Sequence, residues 1–266
     1  YLYWFKRESE INRTASVGSI SRESFYYNNA MYFSVYDYID GLQYSSSSNY
    51  RLHKYTPEED HWEQQADLPV LSDVGRGEYI QLFSIGDGNL YIHVDRQDNN
   101  FFKYNLEAKT LIELEDFDVG YRVRDAVGFI HNGNFYFGAG AAREFDRSVL
   151  RQNRKFWKYN EALNSWTEIS EIPEVPGQYE YAFYYDFFMK DGKVYIYNGN
   201  RVYETWEFTP DETWVRKSDL ENPVGQTVFT QIGDNGFFYH YGDKVFYEYD
   251  IVNDHWSRRE DLKIDC

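Results

Sequence analysis

The chain has 266 residues, of which 20% are aromatic and 27% are charged. Its 44 acidic residues outnumber its 27 basic residues and give a net charge of −17, so no nucleic-acid partner is expected. The one cysteine, Cys266, excludes an intrachain disulfide and a zinc site built from cysteines. The sequence has no run of about 18 apolar residues, so no transmembrane segment is predicted.

A short aromatic segment at residues 1–11 opens the chain. Residues 4–8 (WFKRE) parallel residues 256–260 (WSRRE) near the other end. We therefore predict that 1–11 form the outer strand of a sixth, incomplete repeat whose inner strands this chain lacks. A ring of five blades that closes with 1–11 as a spare strand is the alternative. The chain also begins with Tyr1 and lacks the charged and apolar regions of a signal peptide, so we expect a processed or truncated chain.

Five repeats follow, with a period of roughly 50 residues that is typical of propeller-type proteins. In each repeat an aromatic or apolar residue is followed, five and six residues later, by an acid and an apolar residue. The five copies are Trp62 with Asp67-Leu68, Leu111 with Asp116-Phe117, Trp166 with Glu171-Ile172, Trp214 with Asp219-Leu220, and Trp256 with Asp261-Leu262. The predicted repeats span residues 12–68, 69–117, 118–172, 173–220 and 221–262.

Each repeat is predicted to contain two antiparallel hairpins. The first hairpin turns at Asn or Asp, mostly followed by Gly, and leads into a strand that carries Tyr32, Tyr91, Tyr136, Tyr195 or Tyr239. The second places an aromatic residue, Tyr55, Tyr104, Tyr159, Phe208 or Tyr249, across a polar turn from the tryptophan position. Four strands per repeat predict a β-propeller. The expected fold is an all-β, single-domain propeller over 1–266, with five recognisable four-stranded blades, and the repeat aromatics are expected in its core.

Two insertions separate the second and third strands, at residues 39–50 in the first repeat and 139–154 in the third. Because the flanking patterns stay intact, both are predicted to be surface loops. Such loops often carry binding residues, and a tolerated insertion without function is the alternative that the sequence leaves open.

The connections between repeats carry a recurring Val-Gly pair, whose glycine we expect to turn the chain toward the propeller axis. Connections and insertions emerge on one face of a propeller, so we predict a binding funnel there. Arginines could pair with an anion, and tyrosines outside the core register could contact sugars or proteins. Arginines that stack on aromatic rings or pair with the repeat acids are the other interpretation. The candidate ligand-binding residues are Tyr44, Arg76, Tyr121, Arg122, Arg124, Gln178, Tyr179 and Gln226.

These features resemble the Kelch-repeat propellers, the fold that also forms the central domain of galactose oxidase. Three repeats keep the family's spacing from tyrosine to tryptophan, at Tyr55/Trp62, Tyr159/Trp166 and Tyr249/Trp256. The family's diglycine is the departure, since 138–140 (GAG) is its nearest match. The resemblance covers residues 12–262 and implies a divergent Kelch-like propeller. The sequence of the third repeat is similar to those of secreted or cell-surface bacterial Kelch proteins. This resemblance implies a secreted, periplasmic or cell-surface location.

The resemblance also raises catalytic possibilities. The copper site of galactose oxidase needs a cysteine cross-linked to a tyrosine, which Cys266 and six scattered histidines do not supply. Residues 209–214 (TPDETW) resemble a sialidase box but lack its glycine. A sialic acid mutarotase is a Kelch propeller, so a sugar-acid mutarotase or isomerase that uses Arg76, Arg122 and Arg124 is the alternative function.

The sequence therefore predicts a non-catalytic binding module with a glycan or protein ligand. No catalytic residue, cofactor or metal ion is expected. The alternative of a sugar-acid mutarotase or isomerase stays open at this point.

Overall fold

The part of the chain that the structure describes is all-β, as predicted. A computed structural model describes residues 17–37, 49–67, 80–84, 88–95, 99–143, 150–174, 185–198, 204–220, 227–232, 235–240 and 245–259. The regular elements in these ranges are 23 strands, which pair antiparallel, and no described segment forms a helix able to cross a bilayer. The chain divides into an N-terminal unit, Tyr1–Asp116, and a C-terminal unit, Phe117–Cys266.

The N-terminal unit contains two four-stranded sheets. The first comprises β1 (Val17–Tyr27), β2 (Ala30–Asp37), β3 (Asn49–Thr56) and β4 (His61–Asp67). The second comprises β5 (Ile80–Ser84), β6 (Asn89–Val94), β7 (Asn100–Asn105) and β8 (Thr110–Glu113). The strands of each sheet lie in chain order, so neighbours are joined as successive hairpins, and β1 contacts β5.

The C-terminal unit contains three four-stranded sheets. The first comprises β10 (Val127–His131), β11 (Asn134–Gly138), β14 (Phe156–Asn160) and β15 (Ser165–Glu168). The second comprises β16 (Tyr185–Lys190), β17 (Lys193–Asn198), β18 (Glu204–Phe208) and β19 (Trp214–Arg216). The third comprises β20 (Thr227–Ile232), β21 (Asn235–His240), β22 (Val245–Asp250) and β23 (His255–Arg258). The first strands contact in order, β10 with β16 and β16 with β20.

A three-stranded sheet completes the described part of the C-terminal unit. It comprises β9 (Arg122–Arg124), β12 (Ala141–Arg143) and β13 (Leu150–Gln152), with β12 in the middle. The five four-stranded sheets fall within the five predicted repeats, which confirms the two-hairpin interpretation of each repeat. The extra strand predicted at 1–11 lies outside the described residues, and the blade number of the whole chain and the single-domain assignment stay predictions.

The first hairpin of several sheets turns through residues with positive φ, as the Asn and Asp-Gly sequences predicted. Asn28 and Asn29 have φ of 47° and 57°, and Asn132 and Gly133 have φ of 50° and 75°. Two successive residues at positive φ form the turn whose twist matches that of the flanking strands. The turns therefore set the register that places Tyr32 and Tyr136 on the second strands.

The repeated tyrosine and tryptophan are direct partners across the second hairpin. Tyr55 pairs with Trp62, Tyr159 with Trp166 and Tyr249 with Trp256, and their ring centroids lie 4.8, 5.1 and 4.9 Å apart. Leu111 occupies the same place opposite Tyr104, and Trp214 lies opposite Phe208. The spacing in the sequence thus reflects cross-strand packing, which stabilises neighbouring strands.

Tryptophan indoles also join successive sheets of the C-terminal unit. Trp214 Nε1 donates a hydrogen bond to the Ser170 carbonyl at 3.0 Å, and Trp256 Nε1 donates to the Ser218 carbonyl at 2.9 Å. Each serine lies four residues after the tryptophan of the preceding sheet. The prediction that these tryptophans pack between sheets is confirmed, and Trp214 and Trp256 are buried.

The second strands of two sheets are buried along most of their length. In β6 every residue from Leu90 to Val94 is buried, and in β17 every residue from Val194 to Asn198 is buried. A strand buried on both faces loses the alternation of apolar and polar residues. This explains why these strands have near-continuous apolar sequences.

Candidate functional site

The insertion in the third repeat forms a β-hairpin. Its arms, β12 and β13, pair with each other, and β12 pairs with β9 in the connection that precedes the sheet. The prediction of a loop over 139–154 is therefore wrong for these two strands, whereas residues 144–149 lie outside the described ranges. Strands of three residues are too short to show an alternating pattern, so they could not be recognised from the sequence. The insertion at 39–50 lies almost wholly outside the described residues.

A close backbone approach holds this small sheet at the end of β11. Ala139 and Gly140 have φ of 55° and 81°. A Cβ atom on Gly140 would lie 2.2 Å from the Arg124 carbonyl oxygen, so the position requires glycine. The backbone N–H of Asn153 donates to the Gly140 carbonyl at 2.8 Å, and its side chain donates to the Ala139 carbonyl at 2.9 Å. The diglycine-like GAG segment is thus where the chain leaves the large sheet.

Three arginines lie on one face of the small sheet, which we call the arginine face. Directly paired residues and residues two apart in a strand share a face. The register places Arg122, Arg143 and Leu150 in one row and Arg124, Ala141 and Gln152 in the next row of the same face. The other face carries Val123, Ala142 and Arg151.

The arginine face is partly exposed along one row, whereas two of the three residues of the other row, called the closed row, are buried: Arg124 and Ala141. Arg122, Arg143 and Leu150 are partly exposed, whereas Arg124 is only 9% exposed. In the closed row, Gln152 Nε2 donates to the Tyr185 hydroxyl at 2.8 Å. Arg122 and Arg143 are thus the two arginines of this face that reach the surface, whereas Arg124 is buried.

A buried ion pair lies beside the closed row. Arg154 Nη1 and Nη2 donate to the two Glu204 carboxylate oxygens at 2.8 and 3.0 Å, and Arg154 also contacts the Tyr185 hydroxyl. Glu204 is 0% exposed. Burial alone would lower the pKa of the Arg154 guanidinium, but hydrogen bonds to Glu204 keep that pKa above its usual value. Burial also raises the pKa of Tyr185, which keeps its hydroxyl protonated.

The Glu204 carboxylate accepts several further hydrogen bonds. Trp206 Nε1 donates at 2.9 Å, Arg216 Nη1 at 3.3 Å and Asn198 Nδ2 at 3.3 Å. A carboxylate with this many donors and no exposed surface is occupied by structural contacts. We therefore assign the pair of Arg154 and Glu204 to the joining of two sheets, since Arg154 precedes β14 and Glu204 begins β18.

Tyr121 lies next to the arginine face in a half-buried position. Its hydroxyl is 3.5 Å from Asn153 Oδ1. Burial raises the pKa of Tyr121 to about 12, and the carboxylates of Glu168 and Glu171 add to this effect. The hydroxyl therefore stays protonated at neutral pH and can donate a hydrogen bond.

Three of the eight sequence-predicted site residues lie together in the structure: Tyr121, Arg122 and Arg124. Tyr44, Arg76, Gln178, Tyr179 and Gln226 lie outside the described residues. Sequence reasoning missed Arg143, because it lies inside the segment predicted as a loop. Its position shortly after the GAG turn was the signal that could have pointed to it.

A separate buried polar cluster lies in the N-terminal unit. His93 Nε2 lies 3.3 Å from Asn99 Oδ1, and the His93 ring stacks on Phe101. Burial lowers the pKa of His93 to about 3, so the imidazole is neutral at physiological pH. In the described ranges, no group of three or more His, Cys, Asp or Glu side chains is arranged to hold a metal ion. The expectation that no metal ion is bound stays a prediction.

Comparison with known proteins identifies the fold but no family. No protein-family model matches the chain, and no curated protein matches it in sequence. Among solved structures, a chain in a crystal structure of a nidogen/laminin complex matches with a TM-score of 0.51 and 9% identity. The match covers 86% of this chain and 74% of that chain. This likeness supports a β-propeller fold in general, and the Kelch type stays a prediction.

Proposed function

We propose that this chain is a non-catalytic binding module of the Kelch-like propeller type, with a protein as its ligand. The observation that carries the proposal is the arginine face, where Arg122 and Arg143 form a partly exposed row. In a chain with a net charge of −17, this row places two basic side chains side by side, where they would complement an acidic partner. Such complementary patches give a binding surface its specificity and its rate of association.

A protein ligand is preferred for two reasons. The similar solved chain belongs to a complex of nidogen and laminin, so its propeller occurs in an assembly of two proteins. Arginine is also enriched among the residues that dominate the energy of protein interfaces. A glycan ligand, and with it a secreted or cell-surface location, is the second form of the proposal, since Tyr121 and the arginines could also contact a sugar.

The burial of Arg124, one of the three arginines of the isomerase alternative, disfavours that alternative. Arg124 is 9% exposed and lies behind the partly exposed row, so it cannot grip a substrate carboxylate as Arg122 can. Arg76 lies outside the described residues.

The test compares two substituted proteins with the unchanged chain. The double variant R122A/R143A should lose captured partners in a pull-down, and it should lose any signal on a glycan array. R151A is the matched control, because Arg151 lies on the opposite face of the same sheet and is exposed. Equal capture by all three proteins, each folded by circular dichroism, would overturn the proposal.

A further inference from the structure

Three asparagines in the chain are followed directly by glycine, at residues 132–133, 198–199 and 235–236. The side-chain amide carbon of such an asparagine is open to attack by the backbone nitrogen of the glycine. The attack needs a rotation of the backbone, and glycine permits it because it has no side chain to hinder the approach. The surroundings of each pair therefore decide how fast it reacts.

Two of the three pairs are restrained by the fold. Asn198 is 0% exposed, and its side-chain amide donates to Glu204 Oε1 at 3.3 Å. Gly236 is buried within β21, and the side-chain amide of Asn235 donates to Glu248. Burial keeps water away from the first pair, and the second pair cannot rotate without breaking backbone hydrogen bonds of its sheet. Both pairs are therefore expected to react slowly.

The third pair, Asn132 and Gly133, forms the exposed turn between β10 and β11. A Cβ atom on Gly133 would meet no other atom within 4 Å, so the backbone has room to rotate there. Asn134 Nδ2 donates to the Asn132 carbonyl oxygen at 3.1 Å. That oxygen belongs to the peptide group that contains the attacking nitrogen, so the hydrogen bond stabilises the negative charge that this group gains as it reacts.

We propose that Asn132 is a site of spontaneous deamidation. The Gly133 nitrogen gives its proton to water and bonds to Asn132 Cγ, while the Cγ–Nδ2 bond breaks and the amide nitrogen takes a proton from water and leaves as ammonia. Water then opens the resulting imide ring. Opening at Cγ gives aspartate, and opening at the backbone carbonyl carbon gives isoaspartate. The reaction is independent of the binding function proposed above, since neither residue belongs to the arginine face.

The two products have different effects on the fold. Aspartate fits the turn, because Asp191-Gly192 form the same turn in the next sheet with φ of 50° and 74°. Isoaspartate adds a carbon atom to the main chain, which disturbs the pairing of His131 with Asn134. The register of β11 also positions Tyr136, whose hydroxyl donates to Glu212 of the next sheet at 2.8 Å. Isoaspartate is therefore expected to weaken the contact between these two sheets.

The experiment incubates the full chain in mildly alkaline buffer and measures aspartate and isoaspartate at each asparagine by peptide mapping and mass spectrometry. Asn132 should convert at least about tenfold faster than Asn28, the matched control. Asn28 is exposed and has a φ of 47° in the corresponding turn of the first sheet, but Asn29 follows it instead of glycine. Equal rates at Asn132 and Asn28 would overturn the proposal, and so would faster conversion at Asn198 or Asn235.

The chain unfolded in urea is the control for effects of local sequence. Its three Asn-Gly pairs should convert at similar rates, because the restraints on Asn198 and Asn235 are gone. If Asn132 exceeds the other two by the same factor in the folded and the unfolded chain, the fold does not select the site and the proposal fails.

A second measurement tests the effect of the products on the fold. The variant Asn132→Asp reproduces one product, and it should unfold at a urea concentration close to that of the unchanged chain. The isoaspartate form, separated by chromatography from the incubated protein, should unfold at a lower urea concentration. Equal midpoints for the isoaspartate form and Asn132→Asp would overturn the predicted weakening of the contact between the sheets.

Discussion

One hydroxyl group distinguishes otherwise equivalent positions in the repeats. Tyr55, Tyr159 and Tyr249 donate to Asp60, Asn164 and Asp254 in the turn of the same hairpin, at 2.8, 2.6 and 2.6 Å. Tyr104 has a lysine, Lys109, at the corresponding turn position. Its hydroxyl is buried and has no hydrogen-bond partner within the described ranges. The second repeat thus keeps the tyrosine ring but lacks the hydrogen bond from its hydroxyl to the turn.

The substitution Tyr159→Phe is expected to lower the free energy of unfolding by about 1 kcal/mol, because it removes the hydrogen bond to Asn164. Tyr104→Phe is the matched control, and it should change that free energy by less than about 0.5 kcal/mol. Urea unfolding followed by tryptophan fluorescence measures both. Equal losses for the two variants would show that the hydrogen bond contributes nothing.

Part of this residue-scale detail was predictable from the sequence. The pairing of Tyr159 with Trp166 followed from their spacing across a polar turn, since short hairpins fix register. The contact of Arg154 with Glu204 was not predictable, because 50 residues separate them and no periodicity links them. Arg143 was hidden for a different reason, since a three-residue strand carries no readable pattern.

At the scale of the element, the small sheet depends on the turn that begins it. Gly140 combines a φ of 81° with backbone atoms where a Cβ would lie. Gly133 has a φ of 75° but no atom within 4 Å of its ideal Cβ position. A side chain at Gly133 would therefore meet only the cost of a positive φ, whereas one at Gly140 would also clash with backbone atoms.

Gly133→Ala is expected to destabilise the protein by about 1 kcal/mol, the cost of an L-residue in the left-handed region. Gly140→Ala should cost about 2 kcal/mol more, because the Arg124 carbonyl must also move. Guanidinium chloride unfolding measures both values. Similar losses at the two positions would contradict the close approach of β9.

The Arg154–Glu204 pair joins two sheets and should behave as a buried ion pair. Arg154→Met is expected to lower the free energy of unfolding by about 3 kcal/mol, because it leaves the Glu204 carboxylate buried without its main partner. The double variant R154M/E204M should recover part of that loss. Lys155→Met is the control, since the exposed Lys155–Glu168 pair contributes less than about 1 kcal/mol. Chemical unfolding measures all three, and a loss no larger for Arg154→Met than for Lys155→Met would contradict this role.

At the scale of the whole molecule, buried tyrosines make the protein sensitive to alkali. Burial is the first cause that raises the pKa of Tyr136, Tyr185, Tyr195 and Tyr249 above the ordinary 10.0, and it raises that of Tyr121 to about 12. The folded state then holds protons that the unfolded state has lost. The stability from these groups is complete below pH 10 and is lost as the pH rises through the folded-state values.

Alkaline titration is expected to show a group of tyrosines that ionise only as the protein unfolds. Tyrosinate absorbance should rise in two steps, and the second should coincide with loss of the near-ultraviolet circular dichroism. The urea-unfolded chain is the control and should titrate in one step close to the ordinary pKa. A single native step with unchanged circular dichroism would contradict the prediction.

The fold as a whole was largely predictable because the repeat is regular. Hairpin turns at Asn132-Gly133 and the spacing of Trp256 from Tyr249 each predicted one half of a four-stranded sheet. Similarity to a solved propeller chain supports the same architecture at 9% identity. The small sheet was not predictable, since it departs from the repeat and depends on contacts between separate connections.

The second hairpins share a less visible residue than the tryptophan. Two positions before each one, Asp60, Lys109, Asn164, Glu212 and Asp254 all have positive φ, between 46° and 58°. Lys109 keeps this conformation although Leu111 replaces the tryptophan after it. The repeat can therefore drift past recognition by its aromatic signature while the bend of the backbone persists. Distant copies of this hairpin are therefore better recognised by a turn residue with positive φ than by the tryptophan two positions after it.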